Sequence, residues 1–467
     1  MFTFQESQVV AVTPGERLLT GSDLARVGGA MGKLVPPRSL VFALCSNTEG
    51  SLCGYLACLQ NRVVPLMLDA EMDATLLGGL IQTYGPQYIW LPNETAQQTM
   101  FDGWPLRLNA EEYGYRLLEN PRPTPNLKLH PDLALLLTTS GSTGSPKLVR
   151  ISYDNLLANA ESIAQYLEIT AEERPITTLP MHYSYGLSVI NSHLLRGATL
   201  LLTPRSIMEK EFWAFFREAG ATSLSGVPYT YQMLKRLRLQ RMELPTLRTL
   251  TQAGGKLGAE LVHEYAEWAA QSGRRFVVMY GQTEATARMS YLPAEQALTR
   301  SASIGIPIPG GSFTVVDTEG KLIQTPETPG ELVYRGANVS LGYAECPADL
   351  ALGDVNHGVL HTGDVAQFDA DGYYYIVGRL KRFVKIFGNR VNLDQAEQIA
   401  RGLVSDCACT GEDDRLVVHI TDSTQQEAMR SHMAATLGLH PSAIAVDVVA
   451  EIPKNSAGKI QYAALTR

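Results

Sequence analysis

Short apolar runs rich in β-branched residues alternate with longer amphipathic stretches over roughly the first two thirds of this 467-residue chain. The apolar runs predict strands at Ser39–Cys45, Val63–Leu68, Leu133–Leu137, Ile176–Leu179, Ala198–Leu202, Thr222–Val227, Leu247–Thr251 and Phe276–Met279. The amphipathic stretches predict intervening helices at Glu49–Gln60, Tyr153–Tyr166, Glu209–Ala219 and Leu257–Ala270. Such alternation implies largely parallel sheets that are covered on both faces.

The pattern changes twice in the last third of the chain. Short strands punctuated by Gly and Asp, such as Thr314–Val316, Glu331–Arg335 and Tyr373–Val377, predict a smaller antiparallel or barrel-like piece. Beyond Gly378-Arg379 the remaining residues have their own strand and helix pattern. We therefore predict an α/β protein with a large N-terminal domain, residues 1–379, and a small C-terminal domain, residues 380–467.

The overall composition is that of a soluble enzyme. Hydrophobic residues make up 45% of the chain and charged residues 18%, and the net charge of −8 argues against nucleic acid as a main partner. No stretch approaches the roughly 20 apolar residues that span a bilayer, and the first residues lack the order of a signal peptide. The six cysteines are scattered without metal-ligand spacing. We expect a cytoplasmic protein with reduced thiols.

The segment from Thr138 to Lys147 is rich in hydroxyl residues and follows a predicted strand. Glycines let the backbone turn its N–H groups inward, hydroxyls add donors and the lysine adds a charge, so the segment is suited to wrapping a phosphate. Its glycines lie three residues apart and Lys147 follows Pro146, which distinguishes it from the P-loop. A flexible Ser/Gly linker is the alternative, but a strand before and a helix after the segment favour phosphate binding.

A second cluster, Tyr280-Gly281-Gln282-Thr283-Glu284, directly follows a predicted strand. Ligands of parallel α/β sheets gather at the carboxyl ends of strands. Tyr280 can stack on a base, Thr283 can donate to a phosphate, and Glu284 is a hard oxygen ligand suited to Mg²⁺. A plain strand-to-helix turn is the alternative for this cluster taken alone.

Two further motifs lie downstream. Asp364, in His361-Thr-Gly-Asp364, could accept both hydroxyls of a ribose, and Arg379 could donate to the same sugar; a surface turn is the alternative. Lys459 lies in a tail segment whose small neighbours, Ala457 and Gly458, allow close approach to a ligand. A solvated tail charge is the alternative there.

In this order, the four clusters resemble those of the adenylate-forming superfamily, which includes acyl-CoA synthetases, nonribosomal-peptide adenylation domains and firefly luciferase. The resemblance covers most of the chain, from near Leu24 to Lys459. It implies doubly wound, mostly parallel sheets with a small β-barrel-like part in the large domain, and a mobile α+β small domain. The implied activity is that of a stand-alone AMP-forming acid–thiol ligase that uses ATP and Mg²⁺.

The resemblance also assigns nucleotide-binding residues. It implies a phosphate loop formed by Thr139, Ser140, Gly141, Ser142, Thr143, Gly144 and Lys147. Tyr280, Thr283 and Glu284 match the adenine-stacking, α-phosphate and Mg²⁺ positions, with Gly281 beside them. Gly254 and Gly255 match the segment along adenine and one wall of the acid pocket. Asp364 and Arg379 match the ribose-binding pair.

In the small domain, the resemblance implies that Lys459 bridges the acid carboxylate and the α-phosphate. Lys381 stands at the hinge about which the small domain rotates before a thiol attacks the acyl-adenylate. Gly388 matches the glycine that leaves room for a pantetheine arm, with a simple turn as the alternative. Lys381-Arg382 replaces the commoner Asp-Asp, a departure that concerns the geometry of thioester formation.

The acid pocket should lie along Leu179–Ser188, where the family places it. Amino-acid-activating members carry an Asp that aligns with Gly186 here, and burying an unpaired ammonium costs several kcal/mol (roughly). An α-amino acid is therefore disfavoured. The expected pocket residues are mostly apolar or small and suit a fatty or aryl acid: His182, Tyr185, Gly186, Tyr229, Gly254, Gly255, Gly281 and Met289. His182 would gate the tunnel or hold the carboxylate, and a packed core histidine is the alternative.

The expected acceptor is a phosphopantetheine thiol, either of coenzyme A or of an acyl carrier protein in a biosynthetic cluster. Abbreviated termini, as in stand-alone partners of carrier proteins, slightly favour the carrier protein. Three hypotheses remain open at this point: an acyl-thioester ligase, an enzyme that passes its adenylate to an amine or hydroxyl, and a silent binding protein that has kept the fold. Intact Lys147, Thr283, Glu284, Asp364 and Lys459 count against the third.

Overall fold

The computed structural model describes residues 2–15, 17–138, 147–380, 382–387, 389–412, 414–454 and 460–465. Within these ranges the α-helices are α1 (Gly21–Leu34), α2 (Glu49–Gln60), α3 (Ala74–Tyr84), α4 (Tyr153–Tyr166), α5 (Ser184–Leu195), α6 (Lys210–Glu218), α7 (Pro228–Arg236), α8 (Ala259–Gln271), α9 (Leu393–Ala400) and α10 (Gln426–Leu437). Every one of these helices is too short or too polar to cross a membrane.

The strands of the same ranges are β1 (Val9–Thr13), β2 (Arg17–Thr20), β3 (Leu40–Cys45), β4 (Val64–Asp69), β5 (Tyr88–Pro92), β6 (Leu106–Ala110), β7 (Tyr115–Glu119), β8 (Leu133–Thr138), β9 (Leu148–Ser152), β10 (Pro175–Ile176), β11 (Leu200–Leu201), β12 (Ser223–Gly226), β13 (Thr249–Gln252), β14 (Arg275–Tyr280), β15 (Ser290–Leu292), β16 (Ile306–Pro307), β17 (Ser312–Val316), β18 (Gly330–Arg335), β19 (Gly342–Ala344), β20 (Val359–Phe368), β21 (Tyr374–Arg379), β22 (Phe383–Ile386), β23 (Asn389–Asn392), β24 (Cys407–Glu412), β25 (Arg415–Ile420) and β26 (Ile444–Val448).

Two large sheets form the first part of the chain. One has the order β16-β15-β14-β13-β12-β10-β11-β1-β2, and the other has the order β19-β9-β8-β4-β3-β5-β7-β6. The inner strands of each sheet pair in parallel, and antiparallel strands occupy the edges. This is the arrangement of buried, apolar, parallel strands that the sequence pattern predicts.

The hydrophobic core joins the two large sheets. A single cluster of buried side chains contains residues from strands of both sheets together with residues of α2 and α5. Ten of the twelve residues of α5 are buried. The packing therefore fixes the start of α5, near Ser184, close to the carboxyl ends of β13 and β14, where the candidate active site lies.

A four-stranded antiparallel sheet, β17-β18-β20-β21, makes up the part predicted to be barrel-like. After residue 380 the chain forms a hairpin, β22-β23, and a three-stranded sheet, β24-β25-β26, which share a hydrophobic cluster of their own with α9 and α10. This α+β composition is the one expected of the small domain. The domain boundary at 379/380 stays a prediction.

Candidate active site

The carboxyl end of β14 forms the centre of the candidate site. β14 is a buried strand that ends at Tyr280, and a short 3-10 turn, Thr283–Ala285, follows it. Gly281 lies between them, and a Cβ there would come within 1.7 Å of the Ala287 carbonyl oxygen. Since that contact is with backbone, only glycine fits, and the close approach folds the turn back onto the strand.

Asp364 is a buried carboxylate that accepts hydrogen bonds from three side chains. Tyr280 donates through its hydroxyl (2.5 Å), Gln282 through Nε2 (2.9 Å) and Arg379 through Nε (3.0 Å). Asp364 and Arg379 face each other across the β20–β21 ladder. Burial, followed by the Asp364 charge, raises the pKa of Tyr280 well above its ordinary value, which keeps the phenol protonated as a donor.

The neighbouring residues of the turn connect to two other segments. The Thr283 hydroxyl lies 3.1 Å from the Ser184 hydroxyl at the start of α5. The Glu284 carboxylate accepts a hydrogen bond from Tyr343 (2.6 Å). These contacts bring the turn after β14 together with α5 and with β19, which pairs with β9 after the hydroxyl-rich loop.

Lys147, at the end of that loop, lies in the same region. Its ammonium is 2.6 Å from a Glu345 oxygen and 5.5 Å from the centre of the Tyr343 ring. Because Tyr343 also donates to Glu284, one tyrosine connects the predicted phosphate-binding lysine with the predicted magnesium ligand. The arrangement supports their assignment to one site.

The donor set fits Mg²⁺ bound mainly by a nucleotide. In the described part of the chain there is no group of three or more His, Cys, Asp or Glu side chains that could hold a metal by themselves. Mg²⁺ is commonly bound by one or two carboxylates together with substrate phosphates and water. Glu284, whose carboxylate accepts from Tyr343, is such a carboxylate.

His182 lies just before α5 beside Asp69. Its Nε2 is 3.7 Å from the Asp69 carboxylate, and its Nδ1 is buried without a hydrogen-bond partner among the described residues. Burial lowers the pKa of His182, and the Asp69 charge opposes that shift. In a neutral imidazole one ring nitrogen carries a proton and can donate, and the other can accept.

The start of α5 forms a wall against the strand ends. Tyr185 is buried and donates to the Thr251 carbonyl at 2.9 Å. A Cβ at Gly186 would lie 2.3 Å from the Pro180 carbonyl oxygen. Gly254 has φ +84°, and a Cβ there would lie 2.5 Å from the Tyr183 hydroxyl. The glycines thus allow α5, the Leu179–Tyr183 segment and the 254–255 turn to approach each other closely.

We predict that Gly186→Asp will not create an amino-acid-activating enzyme. Although the family's ammonium-binding Asp aligns with this position, its side chain would be forced against the Pro180 carbonyl and buried as a charge. We expect the free energy of unfolding to fall by about 3 kcal/mol or more. Chemical denaturation and pyrophosphate exchange with the standard amino acids measure the two effects.

Gly29→Asp is the matched control, because Gly29 is exposed on α1 and a Cβ there meets nothing within 4 Å. It should leave both stability and exchange near the wild-type values. A well-folded Gly186→Asp protein that activates an amino acid would contradict the steric argument.

Two predicted pocket residues lie away from this wall. Tyr229, near the start of α7, is 48% exposed, and its ring lies 5.9 Å from the ammonium of Lys454, which belongs to the C-terminal tail. Met289 is fully buried in the hydrophobic core beneath the turn after β14. Gly255 packs against Pro228, where a Cβ would lie 3.2 Å from the proline ring. Their roles as pocket walls stay predictions.

Several predicted site residues lie outside the described residues. They are Thr139, Ser140, Gly141, Ser142, Thr143, Gly144, Lys381, Gly388 and Lys459. Their assignments rest on the resemblance alone.

The structure also adds residues that the sequence interpretation did not single out. Gln282 shares the Asp364 carboxylate with Tyr280, and Ser184 contacts Thr283. Tyr343 joins Glu284 to Lys147. Arg288 is buried beside Tyr185. Gln282 lies inside the second motif, whereas no local pattern indicates that Arg288 is buried.

The chain belongs to the AMP-binding enzyme family, whose profile matches residues 26–344. Membership confirms the predicted adenylate-forming superfamily and the predicted class of AMP-forming acid–thiol ligases. Among its relatives, an oxalate–CoA ligase of Arabidopsis thaliana is 28% identical over 351 residues, 71% of this chain and 67% of that protein. A feruloyl-CoA synthase of an Amycolatopsis species is 28% identical over 422 residues, 86% of this chain and 82% of that protein.

Solved structures confirm the predicted α/β fold. An o-succinylbenzoate CoA synthetase (MenE) from Bacillus subtilis, in complex with its acyl-adenylate intermediate, is similar with a TM-score of 0.80 and 20% identity, covering 99% of this chain and 96% of that chain. The same enzyme in complex with ATP and magnesium ion gives a TM-score of 0.77 and 18% identity, covering 97% and 96%.

Proposed function

We propose that this protein uses ATP to activate a carboxylic acid as an acyl-adenylate and then passes the acyl group to a phosphopantetheine thiol. The observation that carries the proposal is the convergence of Tyr280, Gln282 and Arg379 on the buried Asp364 carboxylate. Thr283 and Glu284 follow Gln282 directly, in the turn after β14.

The first half-reaction joins two anions. A carboxylate oxygen attacks the α-phosphorus of ATP, a new P–O bond forms, and the bond to pyrophosphate breaks. Asp364 is proposed to accept the ribose hydroxyls, and Thr283 is proposed to donate to the α-phosphate. Lys459 is proposed as the cation that lets the two anions meet. When bound, Mg²⁺ held by Glu284 would neutralise charge on the departing pyrophosphate.

In the second half-reaction, the thiol sulfur attacks the acyl carbon, AMP leaves, and the thiol proton is released. The small domain is proposed to rotate about Lys381 between the two steps, as the resemblance implies, with Gly388 beside the pantetheine arm. Two of the described contacts between the domains involve lysine side chains: Lys256 donates to Gln398 at 3.3 Å, and the Lys454 ammonium lies 5.9 Å from the centre of the Tyr229 ring. Such contacts can be exchanged at low energetic cost.

The acid is proposed to lack an α-amine and to have an aliphatic or aryl body. Position 186 has no side chain and no space for one, so α5 offers no carboxylate for an ammonium there. The rings of Tyr183 and Tyr185 meet edge to face at this wall, with ring centres 6.3 Å apart and an angle of 62° between their planes. These surfaces favour an apolar portion of the substrate.

Coenzyme A is the acceptor favoured by the names of the related enzymes, which are CoA ligases. A phosphopantetheinylated carrier protein is the second candidate. An amine or hydroxyl acceptor is a third. All three share the first half-reaction, so one experiment can separate them.

The test is a screen of carboxylic acids by pyrophosphate release, followed by mass spectrometry of the product formed with coenzyme A or with a phosphopantetheinylated carrier protein. We expect release that depends on ATP, Mg²⁺ and one class of acid, and an acyl thioester as product. Release without thioester formation on either acceptor would contradict the second half-reaction. No release with any acid would contradict the whole proposal.

A further inference from the structure

Arg288 is a buried cation that has no anionic partner among the described residues. Its exposed fraction is 2%, and among the described residues no carboxylate oxygen lies within 4.0 Å of the guanidinium. Its protein contacts are weak or neutral: Nη2 donates to the Ser188 hydroxyl at 3.1 Å, Nη1 lies 3.5 Å from the Met279 sulfur, and the guanidinium stacks on the Tyr185 ring at 3.8 Å. Its Nε has no hydrogen-bond partner in the described part of the chain.

Arg150 shows how the same protein accommodates a buried arginine with a structural role. It is fully buried, and its Nε donates to the Tyr343 carbonyl at 3.0 Å and its Nη2 to the Leu341 carbonyl at 2.7 Å. Backbone carbonyls also accept from its remaining nitrogen. Arg150 is thus saturated by fixed acceptors, whereas Arg288 retains donor capacity.

An unpaired buried guanidinium is costly, because it loses its hydration without gaining an opposite charge. The cost falls if an anion enters and accepts from the free donors. The cation–π contact with Tyr185 and the Ser188 hydroxyl offset part of the penalty and hold the planar group in place. The arrangement is therefore that of a preformed anion-binding group.

Arg288 lies at the acid wall, at a distance from the reacting end. Ser188, which it contacts, is one helical turn along α5 from Ser184, which contacts Thr283. Residues four apart share a helix face and are separated by about 6 Å along the axis. An acid whose carboxylate lies near Thr283 could therefore reach Arg288 with its far end.

The surroundings of Arg288 are partly polar. Arg288 borders a small cavity between α5 and strands β12 and β13 that is also lined by Ser225 and Thr251, whose hydroxyls lie 2.9 Å apart and bond each other. Glu173 also lines this cavity, but its carboxylate accepts from Thr222 and lies 3.9 Å from Arg248. The Glu173 carboxylate is thus paired with groups other than Arg288.

We propose that Arg288 binds a second anionic group on the acid substrate, so that the preferred substrates are short acids with an anion at the end opposite the reacting carboxylate. This inference rests on the proposed function and narrows its substrate class. It also adds a cation to a set of expected pocket residues that are mostly apolar or small, because a guanidinium lies against the Tyr185 ring. The body of the acid can still be aliphatic or aryl.

The test compares matched acids that differ only in the far group: butanoate with succinate, pentanoate with glutarate, and hexanoate with adipate. We expect wild-type kcat/KM in ATP–pyrophosphate exchange to favour the diacid of at least one pair. Arg288→Met, which conserves much of the volume, should lower kcat/KM for that diacid on the order of 10²-fold, chiefly through KM, and leave the monoacid within a few-fold. Arg288→Lys, which keeps the charge, should recover part of the loss.

A structural role for Arg288 predicts a different result. Arg288→Met would then lower activity towards both acids of a pair equally, or the wild-type enzyme would prefer the monoacid in every pair, and either outcome overturns the proposal. If Arg288→Met does not fold, Arg288→Gln, which also removes the charge, provides the same comparison between diacid and monoacid.

A measurement of acid binding in the absence of ATP tests this inference separately from the proposed function. Thermal unfolding of the wild-type protein with each acid alone should show a larger rise in Tm for the diacid, and Arg288→Met should abolish the difference. A diacid effect without any pyrophosphate exchange would support Arg288 as an anion site and contradict acid activation. Exchange with monoacids alone, with no diacid effect on Tm, would support acid activation and overturn the inference.

Discussion

Replacement of Asp364 by alanine is expected to lower kcat/KM for ATP by about 10²–10³-fold, mainly through a higher KM. The carboxylate is 3% exposed and accepts from Tyr280, Gln282 and Arg379. Its removal leaves three donors without their acceptor and removes the group proposed to hold the ribose. Steady-state pyrophosphate exchange at varied ATP concentration measures the effect.

Asp369→Ala is the matched control for this variant. Asp369 lies directly after β20, the strand that contains Asp364. Like Asp364, it accepts hydrogen bonds from an arginine and a tyrosine, Arg300 at 3.3 Å and Tyr375 at 2.9 Å. It is not part of the proposed site, so its loss should leave KM for ATP near the wild-type value. An Asp364→Ala enzyme with an unchanged KM for ATP would remove Asp364 from the nucleotide site.

Much of the fold was predictable because the hydrophobic pattern of a regular strand or helix begins and ends where the element does. The helices predicted at Glu49–Gln60 and Tyr153–Tyr166 have those bounds in the structure. The second begins where the sequence supplies a capping box, with Ser152 and Asn155 each bonding the other's backbone. Local signals of this kind do not depend on distant parts of the chain.

Elements without such a period were missed or misjudged. α5 was not predicted as a helix, because a helix buried nearly all round has no polar face to create a 3.6-residue pattern. The strand predicted at Ile176–Leu179 is confined to Pro175–Ile176. Its continuation turns away, and the Thr177 side chain instead bonds the Leu201 and Thr203 carbonyls.

In the site, too, some contacts were predictable from motifs and others were not. Asp364 and Arg379 were paired by motif, and the β20–β21 ladder places them directly opposite each other. The partnership of Tyr343 with both Glu284 and Lys147 depends on a tertiary contact between distant segments, which no local pattern encodes. For Arg288, the sequence gives no indication whether a lone arginine in a mostly apolar stretch points outward or inward.

Replacement of Lys459 by alanine is expected to slow adenylation by about 10²–10³-fold, as removal of a preorganised oxyanion donor does elsewhere. The physical reason is that a carboxylate and a triphosphate repel each other, and a cation between them stabilises the charge that develops as they react. Lys459 lies outside the described residues, so its assignment rests on the motif. ATP–pyrophosphate exchange isolates this step from thioester formation.

Lys454→Ala offers a control from the same tail. The Lys454 ammonium is paired with Asp406 at 2.8 Å and lies over the Tyr229 ring, so it already has protein partners. Its loss should affect exchange by less than about threefold, as expected for a partly exposed ion pair.

Thioester formation from a supplied acyl-adenylate should proceed in the Lys459→Ala enzyme, because the proposed role of the lysine ends when the anhydride has formed. Equal loss in both half-reactions would instead indicate that the variant disturbs the small domain as a whole.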